Sequence, residues 1–162
     1  MKKLKIDLEL LYQSFMFENE DLCKEYLDTN TGEIINIPEE IFKVTSGKAD
    51  EKDLDDWQME LLEEAYAVAE DKMGRYILIQ NIDISYLNGA IENFVEHNIA
   101  SEDLKNKLLN VLYEENPLRS FKNVLSDYPE EIDQWYDYEE QKGKEYVIDW
   151  LRERNIQIVY PI

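Results

Sequence analysis

The stretch Tyr26–Pro38 reads YLDTNTGEIINIP, and it decides how the first part of the chain folds. Two apolar runs flank the polar sequence DTNTGE, in which Gly32 can adopt the positive φ that a three-to-five-residue hairpin turn needs. Pro38 ends the second run, because proline has no N–H to donate to a strand ladder. The pattern therefore predicts an antiparallel hairpin over about residues 23–37.

The same stretch can be compared with a calcium-binding loop. Four residues fall at positions 1, 3, 8 and 12 of the loop pattern. These residues are Asp28, Asn30, Ile35 and Glu39. The pattern requires glycine at position 6, however, and Glu33 stands there. A hairpin explains the residues more simply, so we expect neither a metal site nor a cofactor.

Apolar periodicity and turn signals predict the elements on either side of the hairpin. Helical spacing after Asp7 predicts a helix over about residues 8–16. The sequence RYILIQNI predicts a short strand over about residues 75–80. Near the end of the chain, IQIVYPI alternates as a strand does over about residues 156–160, and this strand can pair with the earlier ones.

Further helices are predicted where a cap or a proline precedes an apolar stripe. Asp83 and Ser101 are suitable N-caps, and Pro117 and Pro129 suit the first helical position. Gly143 lies near the stripe of the last helix, which predicts a break or a close helix crossing there.

Together these elements predict an α+β fold that is mostly helical and has a small antiparallel sheet. Apolar residues make up 44% of the 162 residues and aromatic residues 12%, which is enough for a core. We expect a single domain over residues 1–162. Its parts are a helix–hairpin part over about 1–48, a helical part over about 50–155 and a C-terminal strand over about 156–162.

Charge distinguishes this chain more than any motif does. Asp and Glu number 37 against 17 Lys and Arg, so the net charge is −20. Such a surface repels phosphates and anionic lipid, so we expect no direct binding to nucleic acid and no binding to membranes. A basic protein is the partner that this charge favours, and the alternative is that the charge serves solubility alone, with no partner.

The acids concentrate between residues 50 and 71, a range that holds ten acids and one lysine. Apolar residues at helical spacing predict that the range is one amphipathic helix with an anionic outer face. The apolar stripe comprises Leu54, Trp57, Leu61, Leu62, Ala65, Val68 and Ala69. The residues predicted to face a partner are Asp53, Asp56, Glu60 and Glu63.

The sequence contains little that indicates catalysis. Glycine-rich phosphate loops, C-x-x-C and G-x-S-x-G are absent from the sequence. The single cysteine, Cys23, reads as a half-buried apolar residue, and the single histidine, His97, falls at a helix end where its charge suits the dipole. We therefore expect a protein without enzymatic activity. A single cysteine and a start without a signal sequence predict a cytoplasmic location.

A basic pair near the C-terminus is the other candidate site. Arg119 and Lys122 are followed by Trp135 and Tyr136 within the stretch PLRSFKNVLSDYPEEIDQWYDYEE. One interpretation is an αα-hairpin in which the aromatics pack and the basic pair offsets nearby acids. The alternative is a small pocket for an anionic group, with an aromatic ring as its wall.

Several of these segments resemble uncharacterised protein family 0158, a group of bacterial proteins. The resemblance rests on Leu-Asp-x-x-Thr-Gly-Glu in the hairpin, on Phe121-Lys122 with Trp135-Tyr136 downstream, and on Trp150-Leu151. It covers nearly the whole chain and implies an intracellular bacterial domain. It supplies no catalytic residues. Many members have more arginine before the Phe-Lys pair, where only Arg119 matches in this chain.

Three functional hypotheses follow. The first is a non-enzymatic interaction or regulatory protein that binds a basic partner through the acidic range. The second is a nucleic-acid mimic whose carboxylates occupy the phosphate channel of a DNA- or RNA-binding protein. The third is an enzyme or a binder of small anions that uses the region around Arg119, Lys122 and Trp135.

Overall fold

The computed structural model describes residues 1–17 and 22–159, and the fold is α+β. The chain divides into two compact units. The first unit contains residues 1–81 and the chain from Trp150 onward, and the second contains residues 82–149. The expectation of one domain over residues 1–162 stays a prediction. In the described part of the chain, no helix has the length and apolar character needed to span a bilayer.

A three-stranded antiparallel sheet forms the centre of the first unit. The strands are β2 (Cys23–Asp28), β3 (Ile34–Pro38) and β4 (Tyr76–Leu78), in the order β3-β2-β4. Tyr26 of the central strand pairs with Ile35 on one side and with Leu78 on the other. The predicted hairpin and the predicted short strand after Arg75 are therefore confirmed.

The hairpin turn closes through backbone hydrogen bonds and one glycine. The N–H of Asp28 donates to the carbonyl of Glu33 at 2.9 Å, and the N–H of Gly32 donates to the carbonyl of Asp28 at 2.8 Å. Gly32 has a φ of +81°, and a Cβ at this position would collide with the backbone carbonyl of Lys5. Glycine is thus required here both for conformation and for space.

A second sheet has two parallel strands, β1 (Lys2–Lys5) and β5 (Ile156–Val159). The predicted C-terminal strand exists, but its partner is a strand that was not predicted, and it does not join the antiparallel sheet. Leu4 is the one buried residue of β1, so KKLK has no apolar pattern that indicates a strand. The predicted extension over residues 160–162 lies outside the described residues.

Helices cover the sheet in the first unit. Helix α1 (Leu8–Met16) has the predicted bounds, and its N-cap Asp7 accepts a hydrogen bond from the N–H of Leu10. Helix α2 (Glu39–Thr45) follows the hairpin directly. Residues from the hairpin, α2 and the later helix α4 (Leu62–Ala69) form one buried cluster. Its buried members are Ile35, Ile37, Ile41, Val44, Leu62 and Ala65.

The prediction of one long acidic helix over residues 50–71 is wrong. The range forms a 3₁₀ turn (Glu51–Asp53), the short helix α3 (Asp56–Met59) and α4. The first two of these elements begin at aspartates, and α4 begins after Leu61 without a side-chain cap. Asp50 accepts from the N–H of Lys52. At the start of α3, the N–H of Asp55 donates to the side chain of Gln58 at 2.8 Å. The apolar residues keep helical spacing across these element starts, so apolar periodicity alone does not reveal where one element ends and the next begins.

The second unit is helical. Its helices are α5 (Ile84–Asn98), α6 (Glu102–Asn110), α7 (Pro117–Leu125) and most of α8 (Pro129–Glu153), with a 3₁₀ turn (Val111–Tyr113) between α6 and α7. Asp83, Ser101 and Asn116 cap the first three helices. Helix α8 continues through Gly143, so the predicted break does not occur. The buried core comprises Ala90, Ile91, Phe94, Val95, Ile99, Leu104, Leu108, Val111, Phe121, Leu125 and Trp135.

We predict that Gly32→Ala destabilises the protein more than Gly47→Ala does. Both glycines have a positive φ, which costs an alanine about 1 kcal/mol. Nothing lies within 4 Å of a Cβ built at Gly47, whereas one at Gly32 meets the carbonyl of Lys5. This collision should cost a further 1–3 kcal/mol, roughly the penalty of overpacking. Urea unfolding measures the free energy of unfolding of both variants. An equal loss of this free energy in the two would contradict the collision at Gly32.

Candidate functional site

The acidic segment, defined as residues 50–71, is anchored to the first unit by its apolar residues. Leu62 and Ala65 are buried in the cluster beneath the sheet, and Leu54 and Leu61 pack against it. The hydroxyl of Tyr66 donates to Glu51 at 3.1 Å, which joins the 3₁₀ turn to α4. This bond to a carboxylate raises the pKa of the Tyr66 hydroxyl. The segment is thus anchored by its apolar residues, while its acids before Asp71 are exposed.

The four acids predicted to face a partner are all exposed. Asp53 lies in the 3₁₀ turn, Asp56 in α3, Glu60 between the two helices and Glu63 in α4. In the described part of the chain, no Lys or Arg forms an ion pair with any of them. Their charge is therefore not offset by an ion pair. The structure brings them onto one short segment, although not onto the single helix that the sequence predicts.

Trp57 is exposed, although the sequence predicts that it lies in the buried apolar stripe. Its exposed fraction is 57%, and that of Met59 is 41%. Asp55 and Asp56 precede Trp57 in the chain. Exposed large apolar side chains beside carboxylates that form no ion pair in the described part of the chain are typical of interaction surfaces. The sequence contained the signal for this, because the Asp-Asp pair before Trp57 favours a new helix start.

Asp71 connects the end of the acidic segment to β4. Its carboxylate accepts the N–H of Tyr76 at 2.9 Å and that of Met73 at 3.1 Å. The hydrogen bond from Tyr76, first, and those from neighbouring backbone N–H groups lower the pKa of Asp71. Gly74 in this loop has a φ of +76°. The loop therefore leads directly from the acidic segment into the edge strand of the sheet.

A two-point ion pair clamps the hairpin to the start of β4. Arg75 Nε donates to Asp28 Oδ1 and Arg75 Nη2 to Asp28 Oδ2, both at 2.9 Å. Asp28 is 3% exposed. The hydrogen bond from Arg75, first, and bonds from Asn30 and Thr31 lower the pKa of the Asp28 carboxyl. The Thr29 hydroxyl and N–H both donate to the carbonyl of Arg75, at 2.7 and 2.8 Å.

The ion pair gives the Leu-Asp-x-x-Thr-Gly-Glu pattern a structural role, which is to hold the hairpin turn. The Asp28 carboxylate binds a guanidinium within the chain, which is a different role from that of a calcium ligand. Among the residues that the structure describes, no three His, Cys, Asp or Glu side chains form a group that could hold a metal ion. Sequence reasoning missed Arg75 as the partner, because an arginine before a strand has no distinctive spacing.

The residues around the basic pair are mainly part of the second unit's core. Trp135 is fully buried, with ring centroids 4.7 Å from Phe121 and 5.2 Å from Phe94. The ring thus packs in the core, as the αα-hairpin interpretation expects, and the anion pocket stays a prediction. The apolar stripe of α8 faces the core at this position, which leaves Tyr136 about half exposed. Arg119 is exposed on α7.

Lys122 links α7 to α8. Its Nζ lies 3.2 Å from Glu139 Oε2, and the Glu139 side chain is only 10% exposed. The same ammonium lies 5.8 Å from the ring centroid of Tyr136. Glu139 Oε2 has no hydrogen bond within the described structure, so the ion pair compensates its charge. The Phe-Lys pair and the Trp-Tyr pair are thus two sides of one helix contact.

The two remaining candidate residues have simple environments. His97 is exposed at the end of α5, where its Nδ1 lies 2.8 Å from the carbonyl of Asn93. Cys23 is half-buried, and its sulfur accepts a hydrogen bond from the side chain of Asn36 at 3.3 Å.

Asp28→Asn should destabilise the protein by about 2 kcal/mol at pH 7, the scale of a hydrogen bond to a charged group. The pKa of Asp28 is lowered below its ordinary value of 3.8 in the fold. The contribution of the ionised Asp28 carboxylate to the free energy of unfolding is therefore present above that value, and it is lost as the pH falls through the lowered folded-state pKa. Urea unfolding from pH 7 down to pH about 2 measures this.

The control is Asp53→Asn, which removes an exposed carboxylate and should change the free energy of unfolding by less than about 0.5 kcal/mol. The free energies of unfolding of the native protein and of Asp28→Asn should converge as the pH falls. A difference between them that stays constant over the whole pH range would contradict the role of the ion pair.

Lys122→Met, Glu139→Gln and the double variant should show a coupling energy of about 1 kcal/mol or more, because Lys122→Met leaves a nearly buried carboxylate uncompensated. The matched control is Lys105 with Glu102 on α6, a pair at 3.8 Å in which the carboxylate side chain is 81% exposed. Its coupling should stay below about 0.5 kcal/mol. Equal coupling in the two pairs, measured by thermal or urea unfolding, would show that burial of Glu139 has no effect.

Comparison with known proteins identifies the family. The profile described as "Uncharacterised protein family (UPF0158)" matches residues 1–161. A UPF0158 protein of Pseudomonas aeruginosa is 26% identical over 157 residues, which cover 97% of this chain and 88% of that protein. UPF0158 proteins of Chlamydia muridarum and Chlamydia trachomatis are each 30% identical over 105 residues, which cover 65% of this chain and 32% of those proteins. No solved structure shows a significant match. The chain belongs to the uncharacterised family UPF0158, as its hairpin and aromatic pairs predict.

Proposed function

We propose that this protein is a non-enzymatic interaction protein that binds a basic protein partner through the outer face of the acidic segment. The observation that supports it is the exposure of Trp57 among unpaired carboxylates. Tryptophan is the residue type most enriched at the energetic centres of interfaces, and leaving it in water without a partner is unfavourable.

The four outer acids have a complementary role in this proposal. Asp53, Asp56, Glu60 and Glu63 accelerate encounter with a positively charged surface, and this effect weakens as salt screens the charges. Trp57 then contributes after contact, by a desolvation that salt does not screen. The proposal therefore assigns the association rate to the acids and much of the residence time to Trp57.

The test starts with the immobilised protein in nuclease-treated bacterial lysate, washed at low and then at high salt. A basic protein should be retained at low salt and released at high salt. The retained protein is then purified and its binding is measured directly by calorimetry. Competition with duplex DNA distinguishes a partner whose phosphate channel is occupied from a partner that binds elsewhere.

In that direct assay, neutralising the four outer acids with D53N, D56N, E60Q and E63Q should weaken binding and flatten its salt dependence. The matched control neutralises four exposed acids of the second unit, Glu92, Glu96, Asp133 and Asp137, and so makes the same change in net charge. If both quadruple variants lose affinity equally, binding depends on net charge alone and the proposed surface is wrong.

Trp57→Ala should reduce the affinity about tenfold or more, the loss typical of an interface hot spot. It should leave the slope of affinity against salt unchanged, because it removes no charge. Its stability should match that of the native protein within about 0.5 kcal/mol, since the side chain is exposed. Unchanged affinity in Trp57→Ala would remove the observation on which the proposal depends.

A further inference from the structure

A cavity of about 210 Å³ lies between α1, β2 and the end of β4 in the first unit. Its lining includes Ser14 and Phe17 from the end of α1, Glu25 from the central strand and Leu78 from the edge strand. A second, more open cavity shares Ser14, Phe17 and Glu25 and continues along α1 to Leu10. The two cavities are therefore neighbours on the unit, with Glu25 in the lining of both.

The rim of this surface is apolar and exposed. The exposed fractions are 53% for Leu10, 37% for Phe17 and 39% for Leu78. A single exposed apolar side chain needs no explanation, but three around one concavity form the kind of patch that marks a binding site.

The lining carries one carboxylate, that of Glu25, which forms no ion pair in the described part of the chain. Glu25 Oε2 accepts the hydroxyl of Ser14 at 2.7 Å, which fixes the position of the carboxylate. Within residues 1–17 and 22–159, no Lys or Arg forms an ion pair with Glu25. Lys24 also lines the cavity, but its ammonium lies 4.1 Å from the ring centroid of Phe42. The cavity therefore combines apolar walls with one positioned negative charge.

We propose that this cavity binds a small organic cation, a guanidinium or primary ammonium group on an aliphatic stem. The charged group would pair with Glu25 and lie near the ring of Phe17, where cation–π attraction adds to the ion pair. The stem would contact Leu78, which lines the same cavity. The volume is below the range of about 300–1,000 Å³ that holds drug-sized ligands, so the ligand has few heavy atoms.

The chemistry of the lining separates this ligand class from others. A metal ion requires several charged or carbonyl oxygens, and among the described residues of this lining Glu25 is the one carboxylate. An anion would be repelled by Glu25. A neutral apolar ligand would leave the carboxylate desolvated without a partner, which costs free energy. The site is separate from the acidic segment, and the inference does not depend on the proposed function.

The test compares butylguanidinium with N-butylurea, which has nearly the same shape and no charge. Titration is followed by NMR and by alkylation of Cys23, the only cysteine in the chain, which lines the cavity. Butylguanidinium should bind saturably and slow alkylation of Cys23, and N-butylurea should do neither. Equal effects of the two compounds, or saturable binding by neither, would overturn the proposal.

Two variants locate the charge that matters. In E25Q the new amide oxygen still accepts the hydroxyl of Ser14, so the fold is preserved while the charge is lost. E25Q should weaken butylguanidinium binding about tenfold or more. E40Q, on the exposed surface of α2, removes the same charge and should change the affinity less than about twofold. Equal weakening in both variants would show general attraction to an acidic protein and would refute the site.

The source of the cation is decided by a further pair of probes, free agmatine and a blocked tripeptide with arginine at its centre. Tighter binding of agmatine would identify the ligand as a free amine or guanidine. Tighter binding of the tripeptide would identify it as an arginine side chain of another protein. Failure of both to protect Cys23 from alkylation would contradict the proposal.

Discussion

The bidentate ion pair between Asp28 and Arg75 is the constraint on which the first unit depends. It joins the turn of the hairpin to the beginning of β4, so the edge strand is held in register by side chains as well as by its few backbone bonds. Gly32 makes the same turn compact enough to meet β1 at Lys5. A short turn thus fixes the antiparallel sheet, its contact with the parallel pair of strands and the loop that leads out of the acidic segment.

This arrangement separates the parts of the chain that hold the fold from the parts that can bind. Asp28 is nearly fully buried and has its partner within the chain, whereas the acids of the acidic segment before Asp71 are exposed and have no ion-pair partner in the described structure. Unpaired like charges on one segment repel each other and do not stabilise it. Apolar anchors such as Leu62 offset that cost. Trp57 and the groove around Glu25 are then two distinct surfaces on one rigid sheet-and-helix scaffold.

Local signals in the sequence predicted most elements correctly. Asp7, Ser101 and Pro117 mark helix starts because capping and the fixed φ of proline act over a few residues. What the sequence did not reveal depends on distant contacts. Strand β1 exists because β5, at the other end of the chain, lies beside it. The sequence leaves two interpretations of Trp135 open, the core and a pocket wall, and only the approach of α5 and α7 places its ring in the core.

Amide hydrogen exchange on Asp28→Asn tests the central claim most directly, because it resolves local opening from global unfolding. If the ion pair organises the sheet, protection should fall first at the amides of Thr29 and of residues 76–79, while the amides of β3 that bond to β2 keep most of theirs. Unchanged protection at the edge strand would contradict the account. So would an equal loss across β3 and α2, since the clamp would then be one stabilising contact among many.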